Sequence, residues 1–474
     1  MTDASTTAQR LVRRFARDTN LLIAGRTFSV PGADAVSHEL RRLLAALGAH
    51  LGDGGVTIAP DQTPEILLDG QPLPVREAAV DRVDFAGRHM PVATELARCL
   101  HQSGIVRGIR IGIAMVLEPK TAQLALLLRD AGADIAVYAH PDEIDVTVAD
   151  VLRERGIPVD GDPALTGAAE RATAVDFLRR GFDLLLDDGS HLIRLAHEEG
   201  LATGLRGAAE ETTSGLTPLR LMQRTGILGI PVISVNDAAM KTSFDNRYGT
   251  GQSCVFAIAD VLDAAGIEIR DQPAVVVGYG PVGEGVAAYL RALGAQVCIA
   301  EADPVRALRA VHDGFGIGTL AQLAPDALVV SATGAPHTID ADILRSAAIV
   351  AVAGGVPDEV DFDASSLRPH GAAQLDRVGD GALLIARGGC VNLAAAEGNP
   401  IEIMDLSFAV QLAAVEQLLG STLTPGLHAF PAEADQRIAR AALAVRGTAI
   451  DERSPAQVAA LAQWRSPRYL GASA

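Results

Sequence analysis

The run AVVVGYGPVGEGVAAYLRALGAQVCIAEAD, residues 274–303, constrains the fold more than any other segment. A β-branched strand runs straight into Gly278, Gly280 and Gly283, and helical spacing follows. Glycines at these intervals permit a tight turn and let a pyrophosphate approach the N-terminus of the next helix. Pro281 and Val282 stand at the helix start, inside that turn. The following apolar run ends at Glu301, about 20 residues on, where a carboxylate can hold the ribose hydroxyls of an adenosine. An acid at that strand end, without an arginine cluster, favours NAD over NADP. A glycine turn in an ordinary α/β sheet is the plainer alternative. The strand, helix and terminal acid together favour a dinucleotide site.

The same grammar extends along the chain. RIGIAMVL, DIAVYAH and the apolar run ending at Asp187 read as buried strands. TAQLALLLRDAGA and VADVLRERG read as helices between them. A composition 49% apolar and 4% aromatic suits parallel sheets covered on both faces. With 474 residues, about three domains of ~150 residues are expected. The pattern predicts an α/β protein with two Rossmann-like, doubly wound parallel-sheet domains. A small N-terminal α/β appendage occupies residues 1–78. A substrate-binding domain takes 79–250 with 395–440, an NAD-binding domain 251–394, and a helical tail 441–474.

A net charge of −18 without a dense basic run argues against nucleic acid and against anionic membrane surfaces. Cys99, Cys254, Cys298 and Cys390 are far apart in sequence, with neither zinc spacing nor a disulfide framework, so no metal is expected. No signal h-region opens the chain and no uninterrupted apolar run reaches about 18 residues, which predicts a cytoplasmic protein. Of 40 Lys plus Arg, only Lys120 and Lys241 are lysine. Compositional bias explains the scarcity but not the location, since both sit in polar motifs. Lysine can release its proton when buried and arginine in practice cannot, so Lys241 and Lys120 are candidate functional amines.

Those motifs are ordered polar strings that packing does not require. They are Asp187-Asp188-Gly189, EETTSG from Glu210, VND from Val235, and KTSFDNRYGTGQS from Lys241. GYGPVGEG, NLAAAEGNP from Asn392 and MDLSF from Met404 follow. In this order, from about Arg88 onward, the chain resembles S-adenosylhomocysteine hydrolases. The wording of YGTGQS and NLAAAEG, and the tail around Gln463 and Trp464, resemble the archaeal and thermophilic branch. The resemblance implies bound NAD, an adenine nucleoside substrate, and a homo-oligomer, either tetramer or dimer. It implies oxidation of the ribose 3′ hydroxyl, removal of the acidified 4′ proton, and loss of the 5′ substituent. Lys241, at a depressed pKa, and Asp245 would handle the oxidation, with Asp188 near the 4′ and 5′ carbons. Glu211 and Thr212 would hold ribose hydroxyls, and Glu118, Lys120 and Asn399 would lie in the substrate pocket. Thr212, Thr213, Ser214, Asn246 and Asn392 would line the nicotinamide and its ribose. Arg306 and Gly354 would complete the cofactor site with the glycine loop and Glu301.

The chain departs from that pattern in one region. Val116, Gly355 and Asn399 stand where the family carries histidines, and the segment His140–Val148 lacks the family's STQD string. In the glycine loop, Pro281 and Glu284 replace an acid and a base. Losing three imidazoles removes proton donors and acceptors that titrate near neutrality. The oxidising half is intact, whereas the half serving the 5′ group is altered. The expectation is therefore a divergent member, a nucleoside dehydratase or lyase that eliminates a different 5′ substituent, such as a hydroxyl. The alternatives are a conventional S-adenosylhomocysteine hydrolase and a non-catalytic NAD-binding relative.

Overall fold

A computed structural model describes residues 3–60, 63–356 and 358–465. Three sheets carry the fold. The smallest spans residues 27–72 in five short strands, with parallel pairing at Thr27–Ser29 and antiparallel pairing from Val56–Ala59 onward. Helices Ala4–Thr19 and Ala35–Ala46 pack together beside it. Asp34 starts the second helix by accepting the Val36 and Ser37 N–H groups, which have no partner inside the helix.

The second sheet has seven strands, all parallel. The chain enters at Arg110–Ala114 in its interior and moves outward through Asp134–Tyr138 to Val159–Asp160. It then returns to the other side at Leu184–Asp187 and continues through Gly207–Glu210 and Pro231–Ser234 to Gly426–Ala429. Strand order thus reverses between Arg110–Ala114 and Leu184–Asp187. Ligands of open α/β sheets bind in the crevice at such a reversal, outside the C-terminal strand ends. The Asp187-Asp188-Gly189 turn leaves the sheet at that point.

The third sheet starts from its centre at Pro273–Val277. Gln296–Ala300 and Gly316–Ile317 lie on one side, and Leu328–Ser331, Ile349–Val352 and Leu383–Ile385 on the other, all parallel. Counted along the chain this is the 3-2-1-4-5-6 order of dinucleotide-binding folds. Antiparallel strands Ala372–Val378 and Leu367–His370 extend its edge.

The helix Ile401–Gly420 returns the chain to the second sheet. It packs on helix Pro91–Ser103, where Asp405 accepts the Val92 N–H (3.0 Å) and Ala93 N–H (2.6 Å). One carboxylate thereby caps a helix from another part of the chain. Burial pushes Asp405 up to about 7, against those two hydrogen bonds. By length and composition this helix could cross a membrane, yet it is largely buried within the protein.

The N-terminal segment is fastened where the second and third sheets' segments meet. The Gln252 side chain accepts the Ile23 N–H (2.9 Å) and donates to the Leu21 carbonyl (3.0 Å), a buried two-point clasp. Glu402 accepts the Leu22 N–H (3.0 Å) and pairs with Arg26. Arg13 and Arg10 pair with Asp263, and Arg13 also with Asp260, on helix Thr250–Ala264. Arg76 reaches Glu397 at 3.2 Å. Replacing Gln252 by Ala strands two buried backbone groups, and each stranded group costs about 1–3 kcal/mol. Q252A should lower the urea midpoint accordingly and expose residues 3–60 to limited proteolysis. Unchanged stability and digestion would mean that the clasp does not hold the segment.

Candidate active site

The centre of the site is Lys241, whose amine is buried. It donates to Asn236 Oδ1 at 3.1 Å and Asn246 Oδ1 at 2.8 Å, and pairs with Asp245 at 3.0 Å. Local backbone makes this possible, because Thr242–Gly249 is a π-helix that runs on into the α-helix Thr250–Ala264. An α-helix brings residues three and four apart onto one face. The wider π turn also brings the fifth residue under the first, so Asp245 and Asn246 both reach Lys241. Runs of π-helix often mark functional sites. Asn236 comes from the end of strand Pro231–Ser234 and closes the cage.

Lys241 does not have the depressed pKa expected from the sequence. Burial alone would lower it, but the carboxylates of Asp245 and Glu211 more than offset burial and hold it above the usual lysine value. With three acceptors around it, the resting amine is an ammonium.

Glu210 and Glu211 are adjacent and do different work. Glu210 accepts from the backbone N–H groups of Gly189 (3.0 Å), Ser190 (2.8 Å) and Thr212 (2.9 Å), and from the Thr212 hydroxyl (2.7 Å). It ties the Asp-Asp-Gly turn to the start of helix Thr213–Arg224. Glu211 points the other way. One oxygen accepts from Gln411 at 2.6 Å, while the other is buried with no partner among the described residues. Burial pushes Glu211 up to about 8, despite the opposing pull of Lys241. An unpaired buried acceptor beside an ammonium is an open place for a ligand hydroxyl.

Asp187 is wholly buried and accepts the Ile193 N–H at 2.8 Å. Burial raises it to about 8. Asp188 is half-buried in the cleft, raised by burial and pulled down by Lys241. Of the pair, Asp188 is therefore the available carboxyl.

Other candidates are placed less directly. Glu118 caps helix Pro119–Asp130 and pairs with Lys120 at 2.7 Å, while the buried Lys120 amine also donates to the Glu397 carbonyl at 2.6 Å. This pair braces the loop before Pro400. Asn399 is also committed. It donates to Asp245 and to Thr250 Oγ1 (3.1 Å), and accepts from Ser253 (2.7 Å) and Asn392 (3.0 Å). It orients Asp245 with all its amide capacity engaged, so the substrate contact expected of it has no free atom behind it.

The glycine loop fits a dinucleotide. Gly278 has φ +92°, and a Cβ on Gly283 would collide with the Gly278 carbonyl. A Cβ on Gly280 would meet nothing closer than Arg306, at 3.5 Å, which leaves room for a pyrophosphate beside a guanidinium. Pro281 and Val282 open the helix Pro281–Ala292. Glu301 stands at the strand end, where it accepts the Tyr279 N–H at 2.6 Å and the Ala302 and Asp303 N–H groups. A Cβ on Gly354 would strike the Glu359 carboxylate, so that loop also runs close to its neighbours. Thr213 donates to Asn236 (3.2 Å), and Ser214 to the Thr212 hydroxyl (3.1 Å), on the Lys241 side of the cleft.

Several contributors were not singled out from the sequence. Gln411 is the main one, whereas Asn236 stands inside the VND string noted above. Gln411 had a signal, being a polar residue inside a long apolar helix. Cys254 and Cys390, distant in sequence, lie next to each other as free thiols, with Cys254 raised by burial and by Cys390. Glu143 has its carboxylate near Asp188 and Cys390. The tail Pro455–Leu461 ends near a widely exposed Trp464, and residues 466–474 lie outside the described residues.

Comparison with known proteins decides the family. The NAD binding domain of S-adenosyl-L-homocysteine hydrolase matches residues 246–398. An S-inosyl-L-homocysteine hydrolase of Methanopyrus kandleri is 36% identical over 404 residues, covering 81% of this chain and 94% of the relative. An adenosylhomocysteinase of Archaeoglobus fulgidus is 36% identical over 400 residues, covering 81% and 98%. One of Thermotoga maritima is 34% identical over 401 residues, with the same coverage.

The chain belongs to the S-adenosyl-L-homocysteine hydrolase family. It is an NAD-dependent enzyme of that family, with the two Rossmann-like sheets described above.

The raised carboxyls give this site a pH signature. Glu211 and Asp187 hold protons in the folded protein that the unfolded chain releases near its ordinary carboxylate values. Their contribution to stability is full below those values and is lost as pH rises towards about 8. Glu211→Gln keeps the acceptor for Gln411 and removes one titration. The ligand-free variant should have a higher urea midpoint than the parent at pH 8, with no difference near pH 4. Equal midpoints at both pH values would place Glu211 outside this linkage.

Proposed function

We propose that this enzyme is a divergent nucleoside dehydratase or lyase, which oxidises the ribose 3′ position, removes the 4′ proton and expels a 5′ substituent other than homocysteine. The observation that carries this is the asymmetry of the cleft. The Lys241–Asp245–Asn246–Asn236 cage is complete. Val116 and Gly355, two of the positions where the family carries histidines, cannot move a proton. Asn399, the third position without an imidazole, is spent on Asp245.

Bound NAD supplies the oxidant for the sugar alcohol and returns the electrons at the end of the cycle. Gly278, Gly280, Gly283 and Arg306 would hold its pyrophosphate and Glu301 its adenosine ribose. Thr212, Thr213, Ser214, Asn246, Gly354 and Asn392 would line its nicotinamide half. Glu211 accepts a ribose hydroxyl through its unpaired oxygen. Lys241 would take the 3′ hydroxyl proton; a positive charge bound near it would disfavour the ammonium, since a like charge lowers an amine's pKa. Asp245, held by Asn399, keeps Lys241 aimed and shares its proton. Asp188 removes the 4′ proton, which the neighbouring ketone has made acidic. Under a domain division of 1–78, 79–250 with 395–440, 251–394 and 441–474, these groups would be shared between the substrate-binding and NAD-binding units. The exposed apolar tail residues Val458, Leu461 and Trp464 support a homo-oligomer.

A second reading has support in the relatives' own names. Hydrolysis of S-adenosylhomocysteine, or of its inosine counterpart, would follow the adenosylhomocysteinases and the S-inosyl-L-homocysteine hydrolase. One experiment separates the two. The purified enzyme is incubated in heavy water with adenosine, related nucleosides, S-adenosylhomocysteine and S-inosylhomocysteine. Deuterium at C4′ and a 4′,5′ alkene from a nucleoside, without thioether cleavage, are the expected results. Rapid homocysteine release would overturn the dehydratase reading. Lys241→Met should abolish the NADH absorbance that appears on adding nucleoside, a loss of about 100-fold or more for a missing acid–base group. Retained absorbance would remove Lys241 from the oxidation.

A further inference from the structure

The turn His140–Asp145 carries a carboxylate that the scheme above does not use. It is pinned directly beside Val116. The Leu117 N–H donates to the Glu143 carbonyl at 2.8 Å, the Asp145 N–H donates to the Leu117 carbonyl at 3.0 Å, and Leu117 and Ile144 form a one-residue parallel bridge. The Glu143 side chain lies within electrostatic reach of Asp187 and Asp188 at the strand end, of Asp142 on its own turn, and of Cys390 on the facing loop. Cys390 in turn adjoins Gly355, where a Cβ would sit 3.5 Å from its sulfur. Glu143 is thus on the turn paired with Leu117, next to Val116, and within electrostatic reach of Cys390, the neighbour of Gly355; Val116 and Gly355 have no proton-carrying side chain. Among the described residues its carboxylate takes part in no hydrogen bond or ion pair. The neighbouring His140 is occupied differently, its Nδ1 meeting Glu170 at 3.0 Å. A carboxyl left without a structural partner beside Asp188 is available to a ligand.

The chemistry of the leaving group says what such a carboxyl is for. A thiolate leaves from carbon unaided, whereas a hydroxide does not and must receive a proton as its bond breaks. We propose that Glu143 is the proton donor to the departing 5′ oxygen, a role that rests on the dehydratase reading above. The step balances. Asp188 takes the 4′ proton, and the C4′–H electron pair forms the C4′–C5′ double bond. The C5′–O pair leaves with oxygen, and the Glu143 proton completes a water molecule. The proton held by Asp188 then passes to the Glu143 carboxylate, so both residues end as they began. Burial, and then the negative neighbours Asp188, Asp142 and Asp187, hold Glu143 well above the usual carboxylate range. It therefore carries a proton at a pH where an exposed glutamate would not.

The test compares two leaving groups in the holoenzyme. Adenosine must lose hydroxide, whereas 5′-chloro-5′-deoxyadenosine loses chloride, which needs no proton. Glu143→Gln should slow alkene formation from adenosine by about 100-fold or more, while C4′ deuterium exchange and chloride release stay within about twofold. Glu143→Asp should restore part of the loss. In the parent enzyme, dehydration should fall as pH rises through the Glu143 titration, and chloride release should show no such limb. If Glu143→Gln slows both substrates alike, or neither, Glu143 is not the donor. If the parent releases homocysteine and makes no alkene from adenosine, the dehydratase reading itself fails, and the proposal with it. That outcome is read on the parent alone, before any variant.

Discussion

An ammonium buried among carboxylates sets the terms for this structure. Taking a charge out of water costs several kcal/mol unless it is paired and hydrogen-bonded. Lys241 meets that condition with Asp245, Asn236 and Asn246. Each partner arrives from a different constraint. Asn236 lies in the turn that follows strand Pro231–Ser234 of the second sheet, and Asp245 and Asn246 lie on the π-helix. Asn399, on the loop before helix Ile401–Gly420, fixes Asp245. The cage forms only if sheet, helix and return loop are all in position. The same arrangement keeps the resting amine charged, so the base role proposed for it depends on what binds beside it.

Glycine contacts carry that requirement to the cofactor side. A Cβ on Gly285 would strike the Arg247 carbonyl of the π-helix, and one on Gly251 would strike the Gly285 backbone. The helix after the glycine loop therefore lies directly against the segment that holds Lys241. A side chain at either position would separate the dinucleotide loop from the amine. The motif's last glycine thus serves the distance between cofactor and lysine, beyond the phosphate turn itself.

The N-terminal segment adds a second layer of restraint. Its clasp on Gln252 grips the helix that continues the π-turn, and its contacts to Glu397, Glu402 and Ile401 grip the return loop that also holds Lys120. Both chain crossings between the two large units are tied to one added body. Such bracing favours a fixed separation of the two halves, which suits the proposed action of both on one sugar.

Much of this was legible in the sequence because it depends on local rules. Strand, glycine turn and helix at residues 274–303 follow from backbone sterics, and the alternation of apolar runs predicts parallel sheets. The ordered polar motifs located Lys241, Asp245, Asp188 and Glu211. Tertiary structure alone decided the rest. It separated Glu210, spent on backbone N–H groups, from Glu211, which keeps a free oxygen, although the two are neighbours in one motif. It reversed the expected pKa of Lys241, because a charge responds to every carboxylate around it and those come from distant segments. It turned Asn399 from a pocket residue into a brace and brought Glu143 within electrostatic reach of Cys390. Spacing along a chain fixes local conformation. Hydrogen-bond satisfaction and electric field are sums over space, and only the folded chain defines them.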